Sequence, residues 1–274
     1  MDNETKRLIE EANLSPEAVP SDLFFGNGAE RELDGAIRRA AACAEAPARE
    51  DINAIEARRA DLRAAATPQN PVPPVKIAVL ISGSGTNLQA LIDRIADGSL
   101  NAKIVLVVAS RPSAKGLKRA EAAGIQTITL SKEIYADPLT ADEVIATEVY
   151  RAGAEFVVMA GYMRMVHAPL LAAFPNRVIN LHPALLPSFQ GAHGIGDAFA
   201  RGVKVTGVTV HIANEVYDQG PILAQEPVRV EEGWTVDDLE AAIHAVEHRL
   251  YPQVVQLLAE GRIHVNDDLT VRVG

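Results

Sequence analysis

The sequence predicts an α/β protein with a mostly parallel, twisted β-sheet, helices on both faces of that sheet and a helical N-terminal extension. Two observations lead to this prediction. From residue 75 onward, short runs rich in Val and Ile alternate with segments of helical periodicity, and strands that are apolar throughout are typical of a sheet covered on both faces. Repeated strand and helix units joined by right-handed crossovers produce parallel strands.

The N-terminal part differs in composition from the rest of the chain. Residues 30–46 and 50–66 are rich in Ala, Glu and Arg with apolar residues at helical spacing, which predicts a helical hairpin. Residues 67–74 contain four prolines and can continue neither a helix nor a central strand. The predicted organisation is a helical extension over 1–66, a linker over 67–74 and a main domain over 75–274. The extension carries no recognisable chemistry and is interpreted as a solvated or docking segment.

The elements of the main domain follow in order from the hydrophobic pattern. Buried strands are predicted at residues 75–81, 104–109, 127–130, 156–160 and 178–181. Helices are predicted between them at residues 86–96, 114–123, 141–152 and 168–174. Two longer strands, a long helix and a terminal hairpin are predicted at residues 204–213, 222–230, 235–259 and 262–273. Ligands of such sheets bind beyond the carboxyl ends of the strands, so we expect the functional residues there.

Composition restricts the class of function. The chain has 274 residues, 48% of them hydrophobic, and a formal net charge of -10. Binding to nucleic acid needs clustered Lys and Arg, so nucleic acid is not an expected partner. Cys43 is the only cysteine, which excludes an intrachain disulfide and a multi-cysteine metal site and fits a reducing compartment. With neither a signal peptide nor a membrane span recognised, we expect a cytoplasmic monomer or homodimer that acts on small molecules.

A glycine-rich loop is the first candidate binding site. The segment Ser-Gly-Ser-Gly-Thr-Asn, residues 82–87, connects the first predicted strand to the first predicted helix. Glycines let the backbone approach an anion, and the N–H groups and dipole of a helix start favour a phosphate. The spacing matches neither a dinucleotide-binding fingerprint nor a nucleoside-triphosphate loop. A tight turn between strand and helix explains the segment equally well.

An amide and an imidazole lie two residues apart at the end of the fifth predicted strand. Asn180 and His182 share one face of that strand, because side chains alternate with a period of two. Moving an acyl group between two nitrogens needs an oxyanion donor, a proton shuttle and a group that orients the shuttle. Asp218, in a loop between two later strands, is either that orienting carboxylate or an ordinary turn residue. His193 and His211 are interpreted either as structural residues or as neighbours that support the site residues.

Four motifs occur in order along the main domain. They are Ile-Ser-Gly-Ser-Gly-Thr-Asn-Leu-Gln at 81–89, Ala-Gly-Tyr-Met-Arg at 160–164, Asn-Leu-His-Pro-Ala-Leu-Leu-Pro at 180–187 and Gly-Val-Thr-Val-His at 207–211. Together they resemble the motifs of the phosphoribosylglycinamide formyltransferase family, folate-dependent enzymes of purine biosynthesis. The resemblance covers about residues 75 to 265. It implies a Rossmann-like formyltransferase fold with 75–274 as the catalytic domain, and 10-formyltetrahydrofolate as co-substrate without a metal.

The resemblance also assigns roles to residues of this chain. It implies a catalytic trio, a set that binds the ribonucleotide and a set that binds the formyl folate. The catalytic trio is Asn180, His182 and Asp218. The ribonucleotide set is Gly85, Thr86, Asn87, His244 and Glu247. The folate set is Met163, Arg164, Met165, Val166, Asn180, Asn214, Glu215, Val216, Tyr217 and Asp218. It further suggests a cis peptide bond between Leu186 and Pro187.

The implied reaction moves the formyl group of 10-formyltetrahydrofolate to the amine of 5-phosphoribosylglycinamide, giving formylglycinamide ribonucleotide and tetrahydrofolate. Asn180 and protonated His182 are expected to stabilise the oxyanion, and Asp218 is expected to orient the imidazole and raise its pKa. The proton passes either through His182 or through a water held by Asp218. The family's arginine that meets the folate glutamate tail is missing near Pro138, where Lys132 is the candidate substitute.

Related reactions stay open as alternatives. A formyltetrahydrofolate deformylase shares the Asn, His and Asp set, but has a small N-terminal domain of alternating strands and helices and a His-His pair in place of His182-Pro183. A sugar-nucleotide N-formyltransferase is less favoured, because the Gly-Ser-Gly-Thr-Asn loop suits a simple phosphoribosyl group. A methionyl-tRNA formyltransferase needs a basic C-terminal domain, which this acidic chain lacks. A non-catalytic phosphate-binding protein on the same fold is disfavoured by the intact trio.

Overall fold

A seven-stranded sheet forms the centre of the part of the chain that the computed structural model describes, residues 72–266 and 268–274. Its strands are β1 Val75–Ile81, β2 Ala102–Ala109, β3 Thr127–Thr129, β4 Phe156–Met159, β5 Val178–His182, β6 Val205–Ile212 and β7 Ile222–Arg229. They are hydrogen-bonded in the order β3-β2-β1-β4-β5-β6-β7. The strands from β3 to β5 pair in parallel, whereas β6 pairs antiparallel with both β5 and β7.

Helices cover both faces of this sheet. They are α1 Thr86–Ala96, α2 Gly116–Ala122, α3 Pro138–Arg151, α4 Ala168–Ala173, α5 Gly194–Arg201 and α6 Val236–Ala259. Alternate residues of β1 point to opposite faces: Ile77 and Val79 pack in one hydrophobic cluster with α1 and α6, and Ala78 and Leu80 pack in another with α3 and α4. A small hairpin, β8 Ile263–Val265 and β9 Val271–Val273, follows α6.

The predicted fold class is confirmed, with differences at a few element ends. The largest is at α3, which begins at Pro138 rather than at residue 141. The side chain of Asp137 accepts a hydrogen bond from the Leu139 N–H, and proline is well suited to the first helical position. Within the described residues, no helix is both long and apolar enough to cross a membrane. The predicted helical extension and most of the linker lie outside the described residues.

The strand order determines where a ligand can bind. β1 lies between β2 and β4, and the chain leaves β1 toward one side of the sheet and returns to β4 on the other. Such a reversal opens a crevice at the carboxyl ends of the central strands. Helix α6 is fixed over these ends by the fully buried Tyr251, whose hydroxyl lies 3.0 Å from the Met159 carbonyl and 2.9 Å from the Ile179 carbonyl.

Candidate active site

One cavity of about 280 Å³ opens at the carboxyl ends of β1, β4 and β5. It brings together the glycine-rich loop, the strand-end amide and imidazole, and the loop that contains Asp218. Nearly all the residues assigned from the sequence line it, namely Gly85, Thr86, Asn87, Met163, Arg164, Met165, Val166, Asn180, His182, Asn214, Tyr217, Asp218, His244 and Glu247. Two residues of the Asp218 loop, Glu215 and Val216, do not belong to the cavity lining.

The glycine-rich loop is held tightly against α2. Gly85 is the N-cap of α1 and has a φ of 70°, in the left-handed region that glycine adopts without strain. A Cβ at Gly85 would come within 2.6 Å of the Cα of Gly116, so the two backbones are in direct contact. The first N–H groups of α1, including those of Thr86 and Asn87, have no partner within the helix, and both residues line the cavity.

Asn87 and Glu247 join the start of α1 to α6 inside the cavity. The Asn87 Nδ2 donates to Glu247 Oε2 at 2.9 Å, and Asn87 Oδ1 is buried without a hydrogen-bond partner among the described residues. Burial raises the pKa of Glu247, which the hydrogen bond from Asn87 partly opposes. His244 lies one turn before Glu247 on α6, with Nε2 4.0 Å from Oε2 of Glu247. This end of the cavity therefore offers an unused acceptor and a buried carboxyl group.

His182 is buried at the end of β5 with both ring nitrogens close to acceptors. Its Nε2 lies 2.8 Å from the Phe189 carbonyl oxygen, and its Nδ1 lies 3.4 Å from Asp218 Oδ2. Burial lowers the pKa of His182 from 6.5, and the negative charge of Asp218 opposes this only in part. The predicted rise in this pKa is therefore wrong: removal from water disfavours the imidazolium more than the neighbouring carboxylate favours it.

Phe189 is a residue that sequence reasoning missed. Its φ is 55°, a conformation that is uncommon for a bulky side chain. This backbone turn brings the Phe189 carbonyl to the Nε2 of His182, 2.8 Å away. Strained conformations of this kind cluster at functional sites, where the surrounding structure maintains them.

Asp218 is a buried carboxylate in a tight turn, 6% exposed. Its φ is also 55°, which Asp tolerates better than most residues. Oδ2 accepts a hydrogen bond from the Gly191 N–H at 2.9 Å, and Oδ1 lies 3.6 Å from His211 Nε2. Burial raises the pKa of Asp218, but the nearby His211, the hydrogen bond from the Gly191 N–H and the charge of His182 outweigh it and hold the pKa below 3.8. Asp218 is therefore ionised at neutral pH.

His211 contacts the Asn180 amide directly, so of the two roles considered from the sequence, structural or supporting the site residues, the contact favours the second. Its Nδ1 lies 3.0 Å from the Ile212 carbonyl, which can only accept, so this nitrogen carries the proton. In the neutral ring Nε2 is then an acceptor, and it lies 3.1 Å from Asn180 Nδ2. Asn180 thus donates one amide hydrogen to His211 and retains the other for a ligand. The His at the end of the Gly-Val-Thr-Val-His motif was the available sequence signal.

The other wall of the cavity is the segment Met163, Arg164, Met165 and Val166. It is called the folate wall below, after the role that the resemblance implies for it. Met163 and Met165 have exposed side chains, 63% and 43%, so they are not filling the core. Arg164 lies over the Tyr135 ring, 3.8 Å from its centroid, and also lines a neighbouring cavity of about 270 Å³. Arg164 lines both cavities, whereas Lys132 lines neither.

Comparison with known proteins identifies relatives of this site and fold. Residues 75–255 match the formyl transferase family. Phosphoribosylglycinamide formyltransferase from Bacillus subtilis is 38% identical over 183 residues, which are 67% of this chain and 94% of the relative. The chain belongs to the phosphoribosylglycinamide formyltransferase family. The family predicted from the four motifs is therefore confirmed.

A solved phosphoribosylglycinamide formyltransferase relative has the same fold. The crystal structure of glycinamide ribonucleotide transformylase 1 from Symbiobacterium toebii is 43% identical, with a TM-score of 0.71 over 73% of this chain and 94% of the other. The chicken trifunctional purine biosynthetic protein adenosine-3 is 39% identical over 193 residues, which are 70% of this chain but only 19% of that protein. The family thus occurs both as separate enzymes and within larger proteins.

Two further observations concern this member of the phosphoribosylglycinamide formyltransferase family. The Leu186-Pro187 peptide bond is cis, as predicted. In the portion of the chain that the structure covers, no group of three or more His, Cys, Asp or Glu side chains is placed to hold a metal ion.

Proposed function

We propose that this chain transfers the formyl group of 10-formyltetrahydrofolate to the amine of 5-phosphoribosylglycinamide, a step of de novo purine biosynthesis. One observation carries the proposal: a single cavity joins a phosphate loop, an amide, imidazole and carboxylate trio, and an apolar wall with an arginine. Each part matches one part of the reaction, namely the phosphoribosyl acceptor, the acyl transfer and the pterin. Membership of the phosphoribosylglycinamide formyltransferase family supports the identity of both substrates.

The ribonucleotide is assigned to the end of the cavity formed by α1 and α6. A phosphate at the start of α1 is favoured by the helix dipole and by the N–H groups of Gly85, Thr86 and Asn87, which have no hydrogen-bond partner in the described part of the chain. The buried Asn87 Oδ1 also lacks a partner there, and a ligand hydroxyl or N–H would satisfy it. Glu247 and His244 extend this set along α6. The amine of the ribonucleotide would then extend toward Asn180.

The formyl folate is assigned to the opposite side, between the folate wall and the loop that ends at Asp218. Exposed methionine side chains are flexible, polarisable surfaces suited to a planar ring. Asn214 and Tyr217 line the cavity from the other side. Arg164 provides a positive charge where the folate tail would leave the cavity. The exposure of Met163 and Met165 supports this assignment, because it leaves their side chains accessible to a ligand.

The catalytic trio supplies what the acyl transfer requires. Attack of the amine on the formyl carbon creates an oxyanion, and the second amide hydrogen of Asn180 is available to donate to it. The buried pair of His182 and Asp218 carries one negative charge while the imidazole is neutral, so it can accept the proton of the attacking amine. That proton rests on Nδ1 of His182, which faces Asp218, until the departing folate nitrogen takes it.

The test is an assay of tetrahydrofolate release from 10-formyltetrahydrofolate with and without 5-phosphoribosylglycinamide. We expect release only when the ribonucleotide is present. Release without the ribonucleotide would indicate the deformylase reaction, and release only with an amino sugar nucleotide would indicate the sugar-nucleotide enzyme. No release with any acceptor would contradict the proposal. The cytoplasmic location and the monomeric or homodimeric state stay predictions from the sequence.

A further inference from the structure

Ser82 connects the ends of three neighbouring strands through one side chain. It follows β1 and is only 3% exposed. Its hydroxyl oxygen accepts a hydrogen bond from the Ser110 hydroxyl at 2.7 Å and another from the Met163 backbone N–H at 2.9 Å. Ser110 lies directly after β2, and Met163 belongs to the folate wall after β4. A residue of the glycine-rich loop therefore touches the backbone of the opposite wall of the cavity.

A second contact with Ser82 lies two residues earlier, at Gly161, in the segment that leads into the folate wall. Besides the bond from Met163 to the hydroxyl, the Ser82 N–H donates to the Gly161 carbonyl at 3.1 Å. Ser82 thus holds the segment at two points before it enters the cavity. Residues 160–167 form neither helix nor strand, so no ladder of backbone hydrogen bonds fixes the wall. The hydroxyl of Ser82 is therefore well placed to set the path of Met163 and Arg164.

The glycine-rich loop has several supports that do not involve this hydroxyl. The Gly83 carbonyl accepts from the Gly116 N–H at 3.1 Å, and the Ser84 carbonyl accepts from Arg119 Nε at 3.0 Å. The backbone carbonyl of Ser82 itself accepts from Arg111 Nε at 2.7 Å. Removing the Ser82 hydroxyl should consequently loosen the folate wall and leave the loop in place.

We propose that Ser82, although part of the phosphate loop, is a positioning residue for the formyl folate rather than for the ribonucleotide. The inference rests on the proposed function, because it takes the folate wall as the surface that receives the pterin. Loss of one hydrogen bond between uncharged groups corresponds to about a two- to tenfold loss of affinity. We expect the loss of affinity for the formyl folate only, and not for the ribonucleotide.

The test is Ser82→Ala in the full-length chain. We expect KM for 10-formyltetrahydrofolate to rise about two- to tenfold, with kcat and KM for the ribonucleotide close to those of the original protein.

Ser110→Ala is the matched control, since it removes the other donor to the same hydroxyl and retains the bond from Met163. The double variant should behave like Ser82→Ala alone. Ser82→Cys, which has a similar shape but a weak acceptor, should change KM in the same direction.

Two measurements are independent of turnover. Calorimetry gives the affinity for tetrahydrofolate, and hydrogen exchange of a peptide covering 161–166 reports on the Met163 N–H. The affinity for tetrahydrofolate and the protection of the Met163 N–H from exchange should both decrease in Ser82→Ala, and neither should decrease in Ser110→Ala. An equal rise in the ribonucleotide KM, an equal effect of Ser110→Ala, or unchanged folate affinity would overturn the inference. If the original protein binds tetrahydrofolate but transfers no formyl group, the proposed function fails while these measurements still decide the role of Ser82.

Discussion

Replacing Asp218 by Asn removes one charge from the catalytic trio and almost preserves the shape of the side chain. The φ of 55° at Asp218 belongs to the left-handed region, in which Asp and Asn are both enriched. The side-chain oxygen of Asn can still accept the hydrogen bond that Gly191 now donates to Asp218. The substitution therefore tests the charge of residue 218 with little change in backbone or packing.

The size of the effect follows from the distance between Asp218 and His182. Two unit charges 3.4 Å apart interact by about 5 kcal/mol at an effective dielectric constant of about 20, and by about 1 kcal/mol in bulk water. A hundredfold loss of turnover corresponds to about 2.7 kcal/mol, which lies between these two limits. We therefore expect Asp218→Asn to lower kcat by about a hundredfold or more, as is typical for an acid-base group.

The pH dependence of kcat provides a second measurement on the same variant. Burial holds the pKa of His182 below 6.5, and the charge of Asp218 opposes that fall. Removing the charge therefore lowers the pKa of His182 further. Because the neutral imidazole must accept the amine proton, kcat of the original protein should fall as the pH decreases through this pKa. In Asp218→Asn this acid limb should move to a lower pH.

The assay is amine-dependent release of tetrahydrofolate at saturating concentrations of both substrates, followed from about pH 5 to about pH 8 around the ordinary histidine pKa of about 6.5. Asp97→Asn is the control, because the exposed Asp97 also accepts a backbone N–H, from Ser99 at 2.8 Å, but lies outside the cavity. It should retain the original kcat and pH profile. Near-normal turnover in Asp218→Asn, or an acid limb that moves to higher pH, would refute the role of the carboxylate.

Three further substitutions test other parts of the cavity. Asn180→Ala removes the oxyanion donor and should lower kcat by about a hundredfold or more; single-turnover kinetics with an unchanged chemical step would contradict this. Glu247→Gln removes a buried carboxyl group that accepts a hydrogen bond at 2.9 Å, and should raise KM for the ribonucleotide about tenfold or more without affecting the folate KM in steady-state assays. Gly85→Ala would place a Cβ 2.6 Å from the Cα of Gly116; it should lower the melting temperature and ribonucleotide affinity, whereas Gly196→Ala, with open space around the new Cβ, should do neither.

The sequence predicts most of this fold because its signals are local. The strand 75–81 appears at the predicted bounds, since six of its seven residues are buried and only Lys76 is exposed. The start of α1 also follows directly from the glycines before Thr86. The early start of α3 was missed because the hydrophobic pattern begins later than the cap, and the Asp137-Pro138 pair was a better signal for the first turn.

The electrostatics of the site could not be predicted in the same way. The family resemblance implies a carboxylate near His182, and this alone suggested a raised pKa. The opposite direction results from burial of the ring, which outweighs the charge of Asp218 and the hydrogen bond with the Phe189 carbonyl, both of which raise the pKa. A pKa depends on the balance between removal from water and nearby charge, and only the folded arrangement determines that balance.

The orientation of Asn180 likewise depends on strand register. β5 and β6 pair antiparallel with Asn180 opposite His211 and His182 opposite Thr209, so cross-strand neighbours complete the site. A slip of one residue would place an apolar residue of β6, Val210 or Ile212, opposite Asn180 and leave its amide without the His211 acceptor. The parallel part of the sheet brings the substrate subsites to one edge, whereas the first antiparallel pair fixes which amide hydrogen of Asn180 remains available. The transition from parallel to antiparallel pairing at β5 therefore holds the Asn180 amide against His211 at the wall of the cavity.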